Sequence, residues 1–455
     1  MFTGSVPEDF EMEGRHSMQG IRSKIDTLPF WHRNTGQYIV LAFIFITVFF
    51  FSAIVKNPQN GDSRWAVYTA VSIVREGNTD LEEYRGLAEQ SDFFAIQDVN
   101  GRIYNLFPIG TTIVAVPFVF ILDKIDPDLF SSLLFDSGVA WKIEVVIASL
   151  VVTLTTVFIY LIGQLLTDKK RYALLMAFIF AFCTSAWSTA ARALWQHGPS
   201  MLMLTLSLYI ILLARNRPKL IQFASLPLAF SYVIRPTNSI SIILFTIYVL
   251  FQHRKYFLRY VLWAMVVAFP FVIYNLIIYD SILPWYYRAS RLGNPNFFEA
   301  LLGNLASPAR GLFVFSPILL FSIFGFAVKA REKNLIKLDY FVLAIIIMHW
   351  ITISLNADWW GGWAFGPRMF SDMIPYFIYF LAPSIVKISA WRNKQKVAAY
   401  AVFISLALFS LFVNFRGASD KETWLWNKDP NAPARVSDGY PRMWDWSDLQ
   451  FLRGI

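Results

Sequence analysis

After a first apolar run that begins at residue 37, residues 56–84 read KNPQNGDSRWAVYTAVSIVREGNTDLEEY. The stretch is polar enough to leave a membrane, yet Ser63 to Glu76 has helical spacing, with Ala66, Ala70 and Ile73 on one stripe and Gly77 as a stop. It predicts an amphipathic helix lying on the outer membrane surface and opened by Asp62. Outward from this loop the chain is mostly apolar runs separated by short basic stretches. Of its 455 residues 56% are hydrophobic and the mean hydropathy is +0.47, far more apolar surface than a soluble protein of this length hides. A soluble catalytic domain is therefore excluded. A single cysteine, Cys183, excludes disulfides and cysteine-based metal sites.

The net charge of +9 is read through where the basic residues fall, because Lys and Arg near span ends mark the cytoplasmic side. Six clusters punctuate the chain: Arg22/Lys24/Arg33, Lys169/Lys170/Arg171, Arg215/Arg217/Lys219, Arg254/Lys255/Arg259, Lys329/Arg331/Lys333/Lys337 and Lys387/Arg392/Lys394/Lys396. Each gap holds an out-and-back pair of helices and one apolar run follows the last cluster, so the expected fold is an all-α polytopic membrane protein with about eleven transmembrane helices. Residues 1–36 are expected to form a cytoplasmic segment without a cleavable signal. Residues 37–414 form the membrane domain, with a large first external loop at 56–140, and residues 415–455 are an external tail. The segment PIGTTIVAVPFVFILDKI (108–125) carries Pro108 and Pro117 and runs into Asp123, Asp126 and Asp128, so it reads as a re-entrant or interfacial helix. The apolar runs on either side of Arg235-Pro236 are short, which implies an aqueous cavity there. Inner loops are short and basic with no phosphate-cradling Gly-rich loop, and neither nucleotides nor nucleic acid are expected partners. Cysteines placed at Gly86 and Ser437 are expected to react with a membrane-impermeant thiol reagent in intact cells while one at Asn216 stays protected; protection of either outer site, or labelling at Asn216, would overturn this topology.

Asp62 has two readings. As a helix N-cap, its carboxylate accepts free backbone N–H groups; as a base held at the membrane interface, it deprotonates an acceptor hydroxyl. Glu76, Asp80, Glu82 and Glu83 are further acids of the same loop. Arginines at membrane depth default to functional candidates, and Arg192, Arg235, Arg310 and Arg368 all map to outer span ends, where they either snorkel to headgroups or converge on one anionic ligand. His197, in the turn WQHGPS, is either an interface residue or a donor to phosphate or acceptor. Asp358, Trp359, Trp360 and Trp363, in DWWGGWAFGPR, read either as aromatic belt or as a wall on which a sugar stacks.

The acid-bearing first loop, the following YNLFPIGTTIVAVPF and about ten more spans resemble the membrane-embedded glycosyltransferases of the C superfamily, which include protein O-mannosyltransferases, the lipid A aminoarabinose transferase and the oligosaccharyltransferase catalytic subunit. ALWQHGPSMLML, SPARGLFVFSP and DWWGGWAFGPRMF are similar to bacterial members. The resemblance implies the GT-C fold, a polyprenyl-phosphate-linked sugar as donor, inversion at the anomeric carbon and the first-loop acid, here Asp62, as base. It implies as partners that donor, a glycan, lipid or protein acceptor and membrane lipids, and a bacterial inner-membrane location with the active site outside. Many members carry an adjacent acidic pair, whereas Gly61 and Ser63 flank Asp62 here; no metal ligand is assigned and no cofactor is expected, a divalent cation being the less favoured alternative. A lipid-linked glycan transporter or flippase also needs many spans and buried arginines, but the unusual residues gather at one face and no internal repeat is visible. A ligase using a polyprenyl-diphosphate donor needs the same arginines.

Overall fold

The computed structural model describes residues 35–54, 57, 61–134, 137–288, 292–429 and 441–455. Residues 1–34 of the expected cytoplasmic segment, and Ser437 of the labelling test, lie outside the described residues. The chain forms two compact units, Met1–Ile46 and Thr47–Ile455. What is described of the first is the start of helix α1 (Thr35–Ala53), with Tyr38, Ile39, Phe43 and Ile46 exposed.

In the second unit, α2 (Ala66–Arg75) and α3 (Arg85–Gln90) lead into an antiparallel ribbon of β1 (Ile96–Val99) and β2 (Arg102–Asn105), with Ile96 opposite Asn105. Helix α4 (Gly110–Ile125) packs along α2. The pairing explains why α2 is not the free surface helix expected from its stripe. Trp65, Tyr68 and Val71 join Tyr84, Ala88, Val119 and Ile147 in one core, and every residue from Ala66 to Ser72 is buried. Burying such aromatic and β-branched side chains contributes about 1.5–3 kcal/mol each, far more than a lone interfacial stripe offers.

Then follow α5 (Ser137–Thr167), α6 (Lys170–Phe182), α7 (His197–Ala214), α8 (Ser225–Ile234), α9 (Ser239–Gln252), α10 (Phe257–Tyr279), the short α11 (Phe297–Ala306), α12 (Leu320–Arg331), α13 (Lys337–Ser354), α14 (Ile374–Ala390) and α15 (Asn393–Ser419). Helices α5, α6 and α7 pack together, as do α12 with α14 and α8 with α10. The central helix α7 is mostly buried, whereas α10 is mostly uncovered, its Leu258, Leu262, Val266, Phe269 and Ile273 being exposed. Such an all-round apolar, uncovered helix suits lipid as solvent.

Among the described residues seven helices are long and apolar enough to cross a membrane. The other apolar runs behind the expectation of about eleven fold as shorter pieces, α6, α8, α9 and α12 having 13, 10, 14 and 12 residues. Proline breaks two of them. A residue before proline is pushed out of the helical region, and Arg235 before Pro236 (φ −154°, ψ 122°) and Ser316 before Pro317 (φ −138°, ψ 62°) both are. Helix α6 ends at Phe182, with Cys183 at its C-cap, after which Ala186–Ala190 make a π-turn. At 16 residues, α4 is also shorter than the seven.

Candidate active site

The breaks at Arg235-Pro236 and before His197 deliver chain ends to one place. There a cavity of about 960 Å³ is lined by Asp62, His197, Arg235, Asp358, Trp360, Trp363 and Arg368, all singled out in the sequence, together with Trp195, Tyr286 and Tyr287. First-turn or capping residues of five helical elements face it: Ser63 and Ala66 before and in α2, Thr111 in α4, Gln196 and His197 at α7, Pro236 and Ser239 at α9, and Arg368 in the 3₁₀ turn leading into α14. Two helices end there, α8 near Tyr232 and α13 near Thr352. Helix N-termini carry partial positive charge, so those of α2, α4, α7 and α9 add to Arg235 and Arg368 in favouring an anion in the cavity.

Asp62 lies in the turn before α2, where Arg64 N–H donates to the Gly61 carbonyl and Ala66 N–H to that of Ser63. It does not cap the helix: α2 begins after Trp65 and no side chain bonds its first amides. Its carboxylate instead meets Arg368, Nη2 to Oδ2 at 2.8 Å, and the Arg368 guanidinium lies over the Trp195 ring at 4.1 Å from the centroid. The arginine is stacked on one face and paired at one end, which fixes a group that is otherwise long and free.

A second cluster makes the inner wall. Arg235 Nε approaches Asp372 Oδ2 at 3.1 Å and donates to Thr237 Oγ1 at 2.9 Å, while its Nη1 lies 2.8 Å from His197 Nε2. His197 Nδ1 faces Asp372 Oδ1 at 3.4 Å. Asp372 itself is fully buried behind the pair, its charge offset by the Arg235 guanidinium although neither carboxylate oxygen accepts a hydrogen bond among the described residues.

Arg192, Arg310 and Trp359 do not line this cavity, so the expected convergence of four arginines is halved. Arg192 is fully buried and donates to the Ser52 carbonyl. Arg310 has all five donor hydrogens engaged: Nε to Trp360 O (2.9 Å), Nη1 to Ala309 O (2.8 Å) and Gln450 Oε1 (2.9 Å), Nη2 to Gly362 O (3.2 Å) and Asn427 Oδ1 (2.9 Å). Nothing is left with which to grip a phosphate. What Arg310 holds is the loop 358–368, with help from Gln450 of the tail, whose amide bonds Ala364 O and Gly366 N. Within that loop Gly361 and Gly362 take positive φ (76° and 64°), open to glycine at no steric penalty, and the chain turns so that Trp360 and Trp363 face the cavity. Trp359 turns the other way and fits over Gly303 of α11, where any Cβ would collide with its ring.

The other first-loop acids belong elsewhere. Glu76, Asp80, Glu82 and Glu83 line a separate cavity of about 450 Å³. Asp80 pairs with Arg102 at 2.9 Å, and the Arg85 guanidinium at 2.7 Å holds the Glu82 carboxyl below the usual carboxylate range. Among the described residues no three His, Cys, Asp or Glu side chains gather as a set able to hold a metal ion. Trp195, Asp372 and the buried Glu144 of α5 were not singled out from the sequence; the two carboxylates carried a signal, being acids inside apolar runs.

No family model matches the sequence, and no curated protein does. The structure is similar to the crystal structure of the Archaeoglobus fulgidus oligosaccharyltransferase tethered by a disulfide bond to an acceptor peptide containing the NVT sequon, with a TM-score of 0.52 and 14% identity over 86% of this chain. The chain spans 57% of that protein's length. An identity so low speaks for the fold alone: the chain is a predominantly α-helical polytopic membrane protein, with seven helices of spanning length among the described residues, and it shares the fold of that oligosaccharyltransferase.

Proposed function

We propose that this protein transfers a sugar from a polyprenyl-phosphate carrier to an acceptor on the outer face of the membrane, with inversion at the anomeric carbon and Asp62 as base. The observation that carries the reading is the Asp62–Arg368 pair stacked on Trp195 at the edge of the cavity. A donor phosphate oxygen takes the place of the carboxylate on Arg368, since a guanidinium binds phosphate in the same forked way, and the displaced Asp62 is left beside the reacting carbon. Asp62 then accepts the proton of the acceptor hydroxyl as its oxygen bonds the anomeric carbon. The bond from that carbon to the phosphate oxygen breaks on the opposite side, and its electron pair leaves with the phosphate. Arg368 and the helix N-termini that border the cavity stabilise the charge that develops there. Arg235 and His197 form the polar wall that receives the rest of the donor, and Trp360, Trp363 and Asp358 receive a sugar ring. Arg192 and Arg310 have no place in this mechanism.

The acceptor is a glycan, a lipid or a protein; the oligosaccharyltransferase neighbour carried a peptide. Because Asp62 has no carboxylate beside it in sequence, the reaction runs without a divalent cation. Purified protein given a polyprenyl-phosphate sugar and an envelope extract as acceptor is expected to release polyprenyl phosphate at the same rate with and without excess EDTA. Loss of activity on chelation that a divalent cation restores would overturn the metal-independent reading.

A further inference from the structure

Glu144 is a carboxylate within the second turn of α5, 1% exposed, that the transfer mechanism does not touch. Its surroundings are specific. Ser63 Oγ donates to Glu144 Oε2 at 2.6 Å, and the Leu194 backbone N–H reaches the same oxygen at 3.3 Å. Ser63 is the neighbour of Asp62, and Leu194 is the neighbour of Trp195, the ring on which Arg368 rests at 4.1 Å before it meets Asp62 at 2.8 Å. The contacts therefore close a ring: Asp62, Ser63, Glu144, Leu194, Trp195, Arg368 and back to Asp62. Three of its four links are hydrogen-bonded or ionic, and the fourth is a cation on an aromatic face.

We propose that Glu144 is a positioning residue for the transfer centre, its one oxygen tying the turn that carries Asp62 to the segment that carries the Trp195 shelf, so that α5 sets the separation of base and phosphate-binding arginine. Both segments lack regular secondary structure at these points, Gly61–Trp65 being turns and Ala191–Gln196 the link into α7. Neither has a ladder of backbone bonds to hold it. A long, well-packed helix does, and the buried carboxylate transmits that rigidity to them. The alternative role, a carboxylate that merely satisfies two stray donors, makes the same contacts but leaves catalysis indifferent to them.

The inference rests on the proposed sugar transfer, and its test separates the two. The full-length protein is prepared as wild type, Glu144→Gln, Glu144→Leu and Ser63→Ala, and each is assayed for kcat and donor KM with a polyprenyl-phosphate sugar and for hydrogen exchange of peptides covering 61–66 and 193–197. Glu144→Gln should keep kcat within about threefold, because an amide oxygen accepts the same two bonds. Glu144→Leu and Ser63→Ala should lower kcat by about 10- to 100-fold with donor KM little changed, the effect of a base displaced by a fraction of an ångström. Both should also speed exchange at 61–66, and the double variant Glu144→Leu/Ser63→Ala should be no slower in turnover than Glu144→Leu alone, since the loss of Glu144 already removes the link to Ser63. Wild-type kcat in Ser63→Ala, or a Glu144→Gln variant as impaired as Glu144→Leu, overturns the positioning role. Should Glu144→Leu fail to fold, Ser63→Ala decides. If wild-type protein transfers no sugar, the functional reading fails while the exchange data still report whether Glu144 holds the two segments; unchanged exchange in Ser63→Ala overturns the positioning role independently.

Discussion

Asp62→Asn is expected to lower kcat by about 10²- to 10⁴-fold, the range contributed by a general base, while fold and donor affinity are retained. The amide keeps the shape of the side chain but cannot take a proton. Stability should barely move, for two reasons drawn from the turn that carries Asp62. The residue does not cap α2, so no capping energy is lost. Its ion pair with Arg368 is a third exposed on the Asp62 side, and pairs of that exposure contribute about 0–1 kcal/mol. No other acid of the first loop is placed to rescue the reaction, because Asp80, Glu82 and Glu83 line the other cavity and Asp80 and Glu82 are engaged by arginines. Near-normal turnover in the Asn variant would remove Asp62 from the chemistry.

Arg368→Ala and Arg310→Ala are expected to fail in opposite ways. Removing Arg368 takes away the donor of charge-assisted bonds to the leaving phosphate, a loss of about 2–4 kcal/mol in transition-state terms, with the unfolding temperature nearly unchanged. Lysine should rescue in part, since a point charge lacks the fork. Removing Arg310 leaves Trp360 O, Gly362 O, Asn427 and Gln450 without their donor inside a closed packing of Trp426, Trp359 and the tail, so it should destabilise the fold by about 3–5 kcal/mol, several buried acceptors losing their partner at about 1–3 kcal/mol each. Donor affinity of the Arg310→Ala protein that remains folded should be close to normal. A normal unfolding temperature with lost donor binding would return Arg310 to the phosphate site.

The two arginines show what the sequence can and cannot carry. Charge bias and hydropathy are sums over segments, and they reported the class of fold well, because a membrane imposes them on every span alike. They also set Arg192, Arg235, Arg310 and Arg368 at the same depth. Which way each side chain turns depends on packing between elements far apart in sequence, such as the 310 segment against the tail at Asn427 and Gln450, and no local pattern encodes that. The same holds for Trp359, sent away from its neighbours Trp360 and Trp363 by the space over Gly303. The short runs on either side of Pro236 were legible from their length, whereas the break before Pro317 was not, since hydropathy does not register a conformational break. Glu144 and Asp372 stand in apolar runs whose averages hide a single charge, although an acid at that depth is by itself a signal.

The central claim is that a bond to the lipid carrier is broken here, rather than a lipid-linked sugar being carried across intact. Reconstituted protein in liposomes, given a polyprenyl-phosphate sugar labelled separately in its sugar and its lipid and supplied with envelope acceptor on the face where residues 56–140 lie, tests that directly. The transfer reaction predicts that the two labels part, sugar appearing on acceptor and lipid remaining as polyprenyl phosphate, and that Asp62→Asn stops the separation. Movement of both labels together from one leaflet to the other, without cleavage and unaffected by Asp62→Asn, would contradict it.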